Sequence, residues 1–126
     1  MKSFISAMVI AAFLVCGGIA FNIGIDRVSG NFISACDEIS AAADAGDFDT
    51  ALTEISDLSD SISRRKTFLL STINHEVIDE IEVCVSELYG YAQNSNKTET
   101  EVRCLRLKHL LKHLPENYSV NAQNIL

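Results

Sequence analysis

The chain has 126 residues, a formal charge of −7 at pH 7, no tryptophan and one proline. That length suits one domain, and a net-negative chain lacks the broad basic surface that nucleic-acid binding requires. Abundant alanine, leucine, isoleucine, serine and glutamate favour helices over a sandwich of strands, so the expected class is all-α.

The first element is "FISAMVIAAFLVCGGIAFNIGI", Phe4 to Ile25, which carries no charged side chain. About 20 apolar residues rising ~1.5 Å each cover a hydrocarbon core of ~30 Å, and in lipid a helix satisfies its own backbone. A cleaved signal peptide competes with this reading, because Lys2 supplies a positive leader and Gly18 and Ala20 stand at small-x-small positions. The apolar run continues past them through Phe21, Ile23 and Ile25. The expectation is therefore a retained signal-anchor helix over residues 1–25, followed by a helical domain over residues 26–126. Val15 precedes Cys16 where lipidation would call for a small residue. Lys2 and the amino terminus favour a cytoplasmic N-terminus, since Asp26 and Arg27 nearly cancel on the far side; the remainder is then extracytoplasmic. Ala12, Cys16, Ala20 and Gly24 form a small-residue stripe on which another membrane helix can pack.

Apolar residues then return at helical spacing. Val28, Phe32, Cys36 and Ile39 mark a helix ending near Ala45. Gly46 allows the left-handed backbone that stops it, and Asp47 caps the next helix, which carries Leu52, Ile55, Leu58 and Ile62 to about Leu70. Asn74 caps a third helix with Ile78, Ile81, Val85, Leu88 and Ala92 inward. The polar loop "QNSNKTE" leads to a fourth with Leu107, Leu110, Leu111 and Leu114, stopped by Pro115. This predicts two antiparallel helical hairpins after the transmembrane helix. The stretch "AAADAGDFDTALTEI" loosely resembles a tetratricopeptide unit, but such arrays need about three copies near 34 residues, and the chain offers no convincing second copy.

Charge is unevenly spread. From Val28 to Ser63 there is no lysine or arginine, whereas Asp37, Glu38, Asp44, Asp47, Asp49, Glu54, Asp57 and Asp60 make the first hairpin acidic. Cations gather at Arg64, Arg65 and Lys66, and on the fourth helix at Arg103, Arg106, Lys108 and Lys112. Hairpin geometry returns both groups toward the membrane, where Arg64, Arg65, Lys66, Lys108 and Lys112 are candidate lipid-headgroup contacts. The competing arrangement pairs the basic fourth helix with the acidic first hairpin. Of the cysteines, Cys36 and Cys84 fall on apolar stripes and read as buried thiols, while Cys84 and Cys104 are a marginal candidate for one disulfide.

The opening of the third helix, "NHEVIDEIEV", contains His75, Glu76 and Asp79. A zinc-protease helix would need histidine where Asp79 stands. His109 and His113 share the i, i+4 spacing of a metal pair, but no third ligand joins them in sequence. The structural account is that Asn74 caps and Glu76 and Asp79 favour the positive end of the helix dipole. No metal or cofactor is called for.

The order of an N-terminal anchor, "GDFDTAL", "RRKTFLLSTINHEVIDEIE" and a closing "HLPENYSVNAQNIL" resembles an uncharacterised family of short bacterial membrane-anchored proteins, domain-of-unknown-function family 4363, of clostridia and their relatives. The likeness covers nearly the whole chain, and its most specific pieces include His75, Glu76, Asp79, His113, Pro115 and Asn117. Phe48 and Phe68 stand where tryptophan is expected, and Asn74 where aspartate is. The resemblance implies an envelope protein and transfers no catalytic residue.

The expected function is thus a single-pass scaffold or interaction module. It has the bilayer, and another integral membrane protein, as partners, and is not an enzyme. Two alternatives stand beside it. One is a ligand or metal site formed by His75, Glu76 and Asp79 with His109 or His113; the other is a cleaved, secreted helical protein.

Overall fold

The computed structural model describes residues 1–71 and 73–114, and only the backbone at residues 20–23 and 25. Pro115 and Asn117 lie outside the described residues. Within them are four α-helices: α1 (Lys2–Asp44), α2 (Phe48–Leu70), α3 (His75–Gln93) and α4 (Lys97–Lys112).

The expected anchor and the first bundle helix are one element. α1 runs for 43 residues without interruption, because neither proline nor a turn signal stands between Ile25 and Val28. At 1.5 Å per residue it is about 65 Å long, roughly twice what a bilayer core requires. Its outer half packs on nothing: Phe4 to Ile19 are exposed throughout, Phe13 at 81%. Its inner half, from Val28, packs against α2 on one side and α4 on the other, and α3 closes the ring between them. The two hairpins therefore form an antiparallel up-down four-helix bundle. Since α4 packs back on α1, no open face remains for stacking a further repeat of the tetratricopeptide kind.

The core is made by the apolar stripes. Phe32, Cys36, Ile39 and Ala43 on α1 meet Ile55, Leu58 and Ile62 on α2, Ile78, Ile81, Val85 and Leu88 on α3, and Cys104, Leu107 and Leu111 on α4. Burying a Leu or Ile side chain stabilises by about 1.5–3 kcal/mol, so this stripe is the main cohesive force. One buried hydroxyl joins the first and last helices: Ser29 Oγ donates to the Leu111 carbonyl at 2.6 Å. That carbonyl lies in the last turn of α4, where helix acceptors outnumber helix donors.

The second hairpin repeats the first at a spacing of 49 residues. Advancing the buried positions Phe32, Cys36, Ile39 and Ala43 by 49 gives Ile81, Val85, Leu88 and Ala92, all buried on α3. The same step takes Ala51, Ile55, Leu58 and Ile62 to Thr100, Cys104, Leu107 and Leu111. The turns repeat as well. In the first, Gly46 N–H donates to the Ala43 carbonyl and Asp47 N–H to that of Ala42; in the second, Ser95 N–H donates to Ala92 and Asn96 N–H to Tyr91. Each is a Schellman closure whose last residue then caps the next helix, Asp47 receiving the Thr50 N–H and Asn96 the Glu99 N–H.

Both closures need a positive φ, 76° at Gly46 and 55° at Ser95. Glycine adopts it freely, whereas a residue with a Cβ is strained there by about 1–2 kcal/mol. Space is open around Gly46, so the backbone alone decides the outcome. Gly46→Ala is expected to destabilise the bundle by about 1 kcal/mol and Ser95→Gly to stabilise it by about 0.5 kcal/mol, part of the relief being offset by unfolded-chain entropy. Urea midpoints of the detergent-solubilised chain check this; equal signs would contradict it.

Candidate functional site

The residues singled out in sequence fall into three places. His75, Glu76 and Asp79 occupy the first turns of α3, all exposed. Asn74 accepts the Glu76 N–H at 3.1 Å through its side chain, and Glu76 is the acidic residue of the first turn. These contacts satisfy a helix start. His109 and His113 lie one turn apart at the end of α4, their rings edge to face with centroids 4.4 Å apart. α3 starts and α4 ends at the same end of the bundle, yet no group of three or more histidine, cysteine or acidic side chains is placed to hold a metal among the described residues.

The basic residues divide by partner. Lys108 Nζ is 2.6 Å from Asp37 Oδ1, and Lys97 Nζ is 3.1 Å from Asp44 Oδ1. The basic fourth helix thus does pair with the acidic first hairpin, across the α1–α4 seam that the apolar core sets. Lys66 is held by Glu82 at 2.9 Å. Two of the five candidate headgroup cations, Lys66 and Lys108, are therefore engaged within the bundle. Arg64, Arg65 and Lys112 are exposed and in no ion pair among the described residues. Arg103, a cation not singled out as a site residue, ties α3 to α4, with Nε 2.6 Å from Glu87 and the guanidinium 5.4 Å above the Tyr91 ring.

The third place is the core. Cys36, Cys84 and Cys104 are all free and buried, from three different helices, so the Cys84–Cys104 bridge is not formed. Cys104 is as buried as the two cysteines read from the apolar stripes. Burial, with the neighbouring thiols and Asp37 adding to it, pushes Cys36 up to about 12; burial likewise takes Cys104 to about 12 and raises Cys84, whose Sγ donates to the Arg103 carbonyl. Such thiols are protonated and inert at neutral pH. On the acidic hairpin, partial burial and the facing Glu38 raise the Glu54 carboxyl above its ordinary range.

Between α2 and α3 runs a shallow cleft walled by Ser59, Ser63, Ser86, Glu82 and Tyr89. The serines leave a gap where larger side chains would have closed the helix pair. At the matching place on the other side of the bundle, the α1–α4 seam is closed by the Asp37–Lys108 pair.

Residues 19–125 match the protein family described as Domain of unknown function (DUF4363). The chain belongs to this family. The DUF4363 match takes in the bundle and the last turns of the apolar helix, in agreement with the resemblance carried by the "GDFDTAL" and "NHEVIDEIE" segments. No curated protein and no solved structure matches the chain.

Two outcomes follow for the thiols. At pH 8 the three core cysteines are expected to resist a maleimide in the folded, detergent-solubilised protein and to react in urea; labelling of Cys36, Cys84 and Cys104 without denaturant would contradict the buried placement. For Cys36 and Cys104 the folded pKa lies above the unfolded value near 9. Their contribution to stability is therefore complete below pH 9 and lost as pH rises toward 12, so the urea midpoint is expected to fall across that window.

Proposed function

We propose that this DUF4363 protein is a single-pass component of a bacterial cell envelope that holds a helical bundle at the membrane surface for interaction with a membrane partner. The reading has the apolar half of α1 retained as the anchor, the N-terminus cytoplasmic and the bundle extracytoplasmic. It assigns the bundle no chemistry of its own.

The observation that carries the proposal is the state of α1. Its window Lys2–Ile19 is long and apolar enough to cross a membrane, and none of it is buried against the bundle. An apolar helix of this size left in water exposes far more contiguous apolar surface than a soluble domain tolerates. Lipid is the solvent that fits it, and the helix satisfies its own backbone there. The apolar run passes the small-x-small positions Gly18 and Ala20 and continues as one helix into the bundle, which supports retention. Lys2 and the amino terminus support the orientation. Among the described small residues of the span, Ala12, Cys16 and Gly24 share a stripe that suits helix packing in lipid.

The test has two arms. Membranes from cells making the full chain are washed with alkaline carbonate, and the N-terminus of the retained protein is sequenced; external protease is added to intact spheroplasts. The expected result is an uncleaved chain that stays with the membrane and a bundle digested from outside. A chain beginning after residue 20 and released by the wash would replace this reading with a secreted protein. Crosslinking from native membranes then addresses partners: a specific membrane protein is expected with the wild type, and its loss on exchange of the anchor sequence or on His75→Ala tells which half carries recognition.

A further inference from the structure

The end of the bundle from which the anchor emerges is built differently from its far end. Val28 on α1 and Arg65 on α2 wall the same cleft, so the two helices are in register there. Because they are antiparallel, each step along α2 beyond Arg65 descends toward the anchor. Phe68, about 4.5 Å further on, stands level with the last residues before Asp26 on α1, where the charge-free segment ends. Arg64, Arg65 and Phe68 share one outward face through i, i+3 and i, i+4 spacing. Phe68 is 38% exposed although it is a large apolar side chain, and both arginines are exposed. Lys112 on the last turn of α4 is at the same end. The far end, by contrast, carries Asp44, Asp47 and Asp49 at the first turn and Glu99 and Glu101 at the second.

We infer that the last two turns of α2 are a membrane-surface contact in which Phe68 enters the interface and Arg64 and Arg65, with Lys112, bind anionic lipid headgroups. This deepens the proposed function and rests on its anchor, though not on which side of the membrane the bundle faces. Three features point to an anionic bilayer. Arg64, Arg65 and Lys112, like Arg106 further up α4, are in no ion pair among the described residues, whereas Lys66, Lys97, Arg103 and Lys108 are each held by a carboxylate within the bundle. An aromatic ring flanked by arginines suits the headgroup layer, whose outer part is charged and whose inner part is apolar. The carboxylates at this end, Asp26, Glu76, Asp79 and Glu80, sit on α1 and on the first turns of α3, and Glu82 is taken up by Lys66, leaving the outer face of the last two turns of α2 basic. The acidic far end would be repelled by the same surface, so the bundle stands upright.

The chain contains no tryptophan, so one introduced residue reports alone. Phe68→Trp and, separately, Phe13→Trp are made in the full chain and reconstituted in phosphatidylcholine vesicles with and without phosphatidylglycerol. Quenching by lipids brominated high on the acyl chain is compared with quenching by aqueous acrylamide. With phosphatidylglycerol, the Phe68→Trp emission is expected to shift to the blue, to be quenched by the lipid and to be shielded from acrylamide. Removing the anionic lipid, or adding Arg64→Gln and Arg65→Gln, is expected to reverse all three. These positions are on the surface, so the substitutions leave the core stripe intact. If Phe13→Trp is quenched by lipid while Phe68→Trp is open to acrylamide in both compositions, the surface contact is overturned and the anchor stands. Lipid quenching of Phe68→Trp that ignores phosphatidylglycerol overturns the headgroup recognition. If neither probe meets lipid, the anchor reading falls and this one with it.

Discussion

An unbroken ladder of backbone hydrogen bonds carries α1 from an exposed apolar segment into the bundle, which on the proposed function is a passage from lipid to water. Residues from Phe4 to Ile25 form a charge-free segment exposed over most of its length, and residues from Val28 onward contribute a wall of the bundle. In lipid a backbone group without a partner costs several kcal/mol, which makes a helical exit from the membrane the least costly one. Continuing that helix into the bundle removes the flexible joint that a loop would have introduced. The orientation of everything else then follows from α1: α2 and α4 flank it, α3 closes the ring, and the turn before α3 is brought back to the end where the anchor emerges.

The bundle itself is one hairpin used twice. The 49-residue step relates buried position to buried position and turn to turn, while the residues that occupy those positions differ: Ile55 answers to Cys104, Cys36 to Val85, Gly46 to Ser95. What is held constant is the geometry of closure, in which one residue ends a helix and caps the next. What varies is chemistry at the seams. The α1–α4 seam is fastened by Ser29 to Leu111 and by Asp37 to Lys108, and the α2–α3 seam is left as a cleft lined by serines.

Much of this is legible in the amino-acid order where a local signal has a local meaning. The charge-free run at the N-terminus, the stop at Gly46, the caps at Asp47 and Asn74, and the inward stripes of all four helices are each encoded within a few residues. Continuity of α1 is harder to read, because the end of the charge-free run at Asp26 looks like a boundary in composition although no breaker stands there. The second copy of the hairpin, expected to be missing, lies 49 residues on and escapes the sequence because it is carried by burial rather than by residue identity. The pairing of Lys108 with Asp37, across 71 residues, depends on a helix register that only the packed ring defines. His75, Glu76 and Asp79 draw notice as a cluster because helix starts and metal sites use the same residue types; the exposed placement and the Asn74 cap assign them to the helix start.

Rigid coupling of the anchor to the bundle is the central claim, and a distance measured across the boundary tests it most directly. Cys16 and an introduced cysteine at the exposed site Glu38→Cys would be spin-labelled in the full chain reconstituted in lipid nanodiscs, and their separation read by pulsed electron resonance. An unbroken helix places the two backbones about 33 Å apart with a narrow distribution. A broad distribution, or a mean well below that value, would show a joint between anchor and bundle and contradict the account.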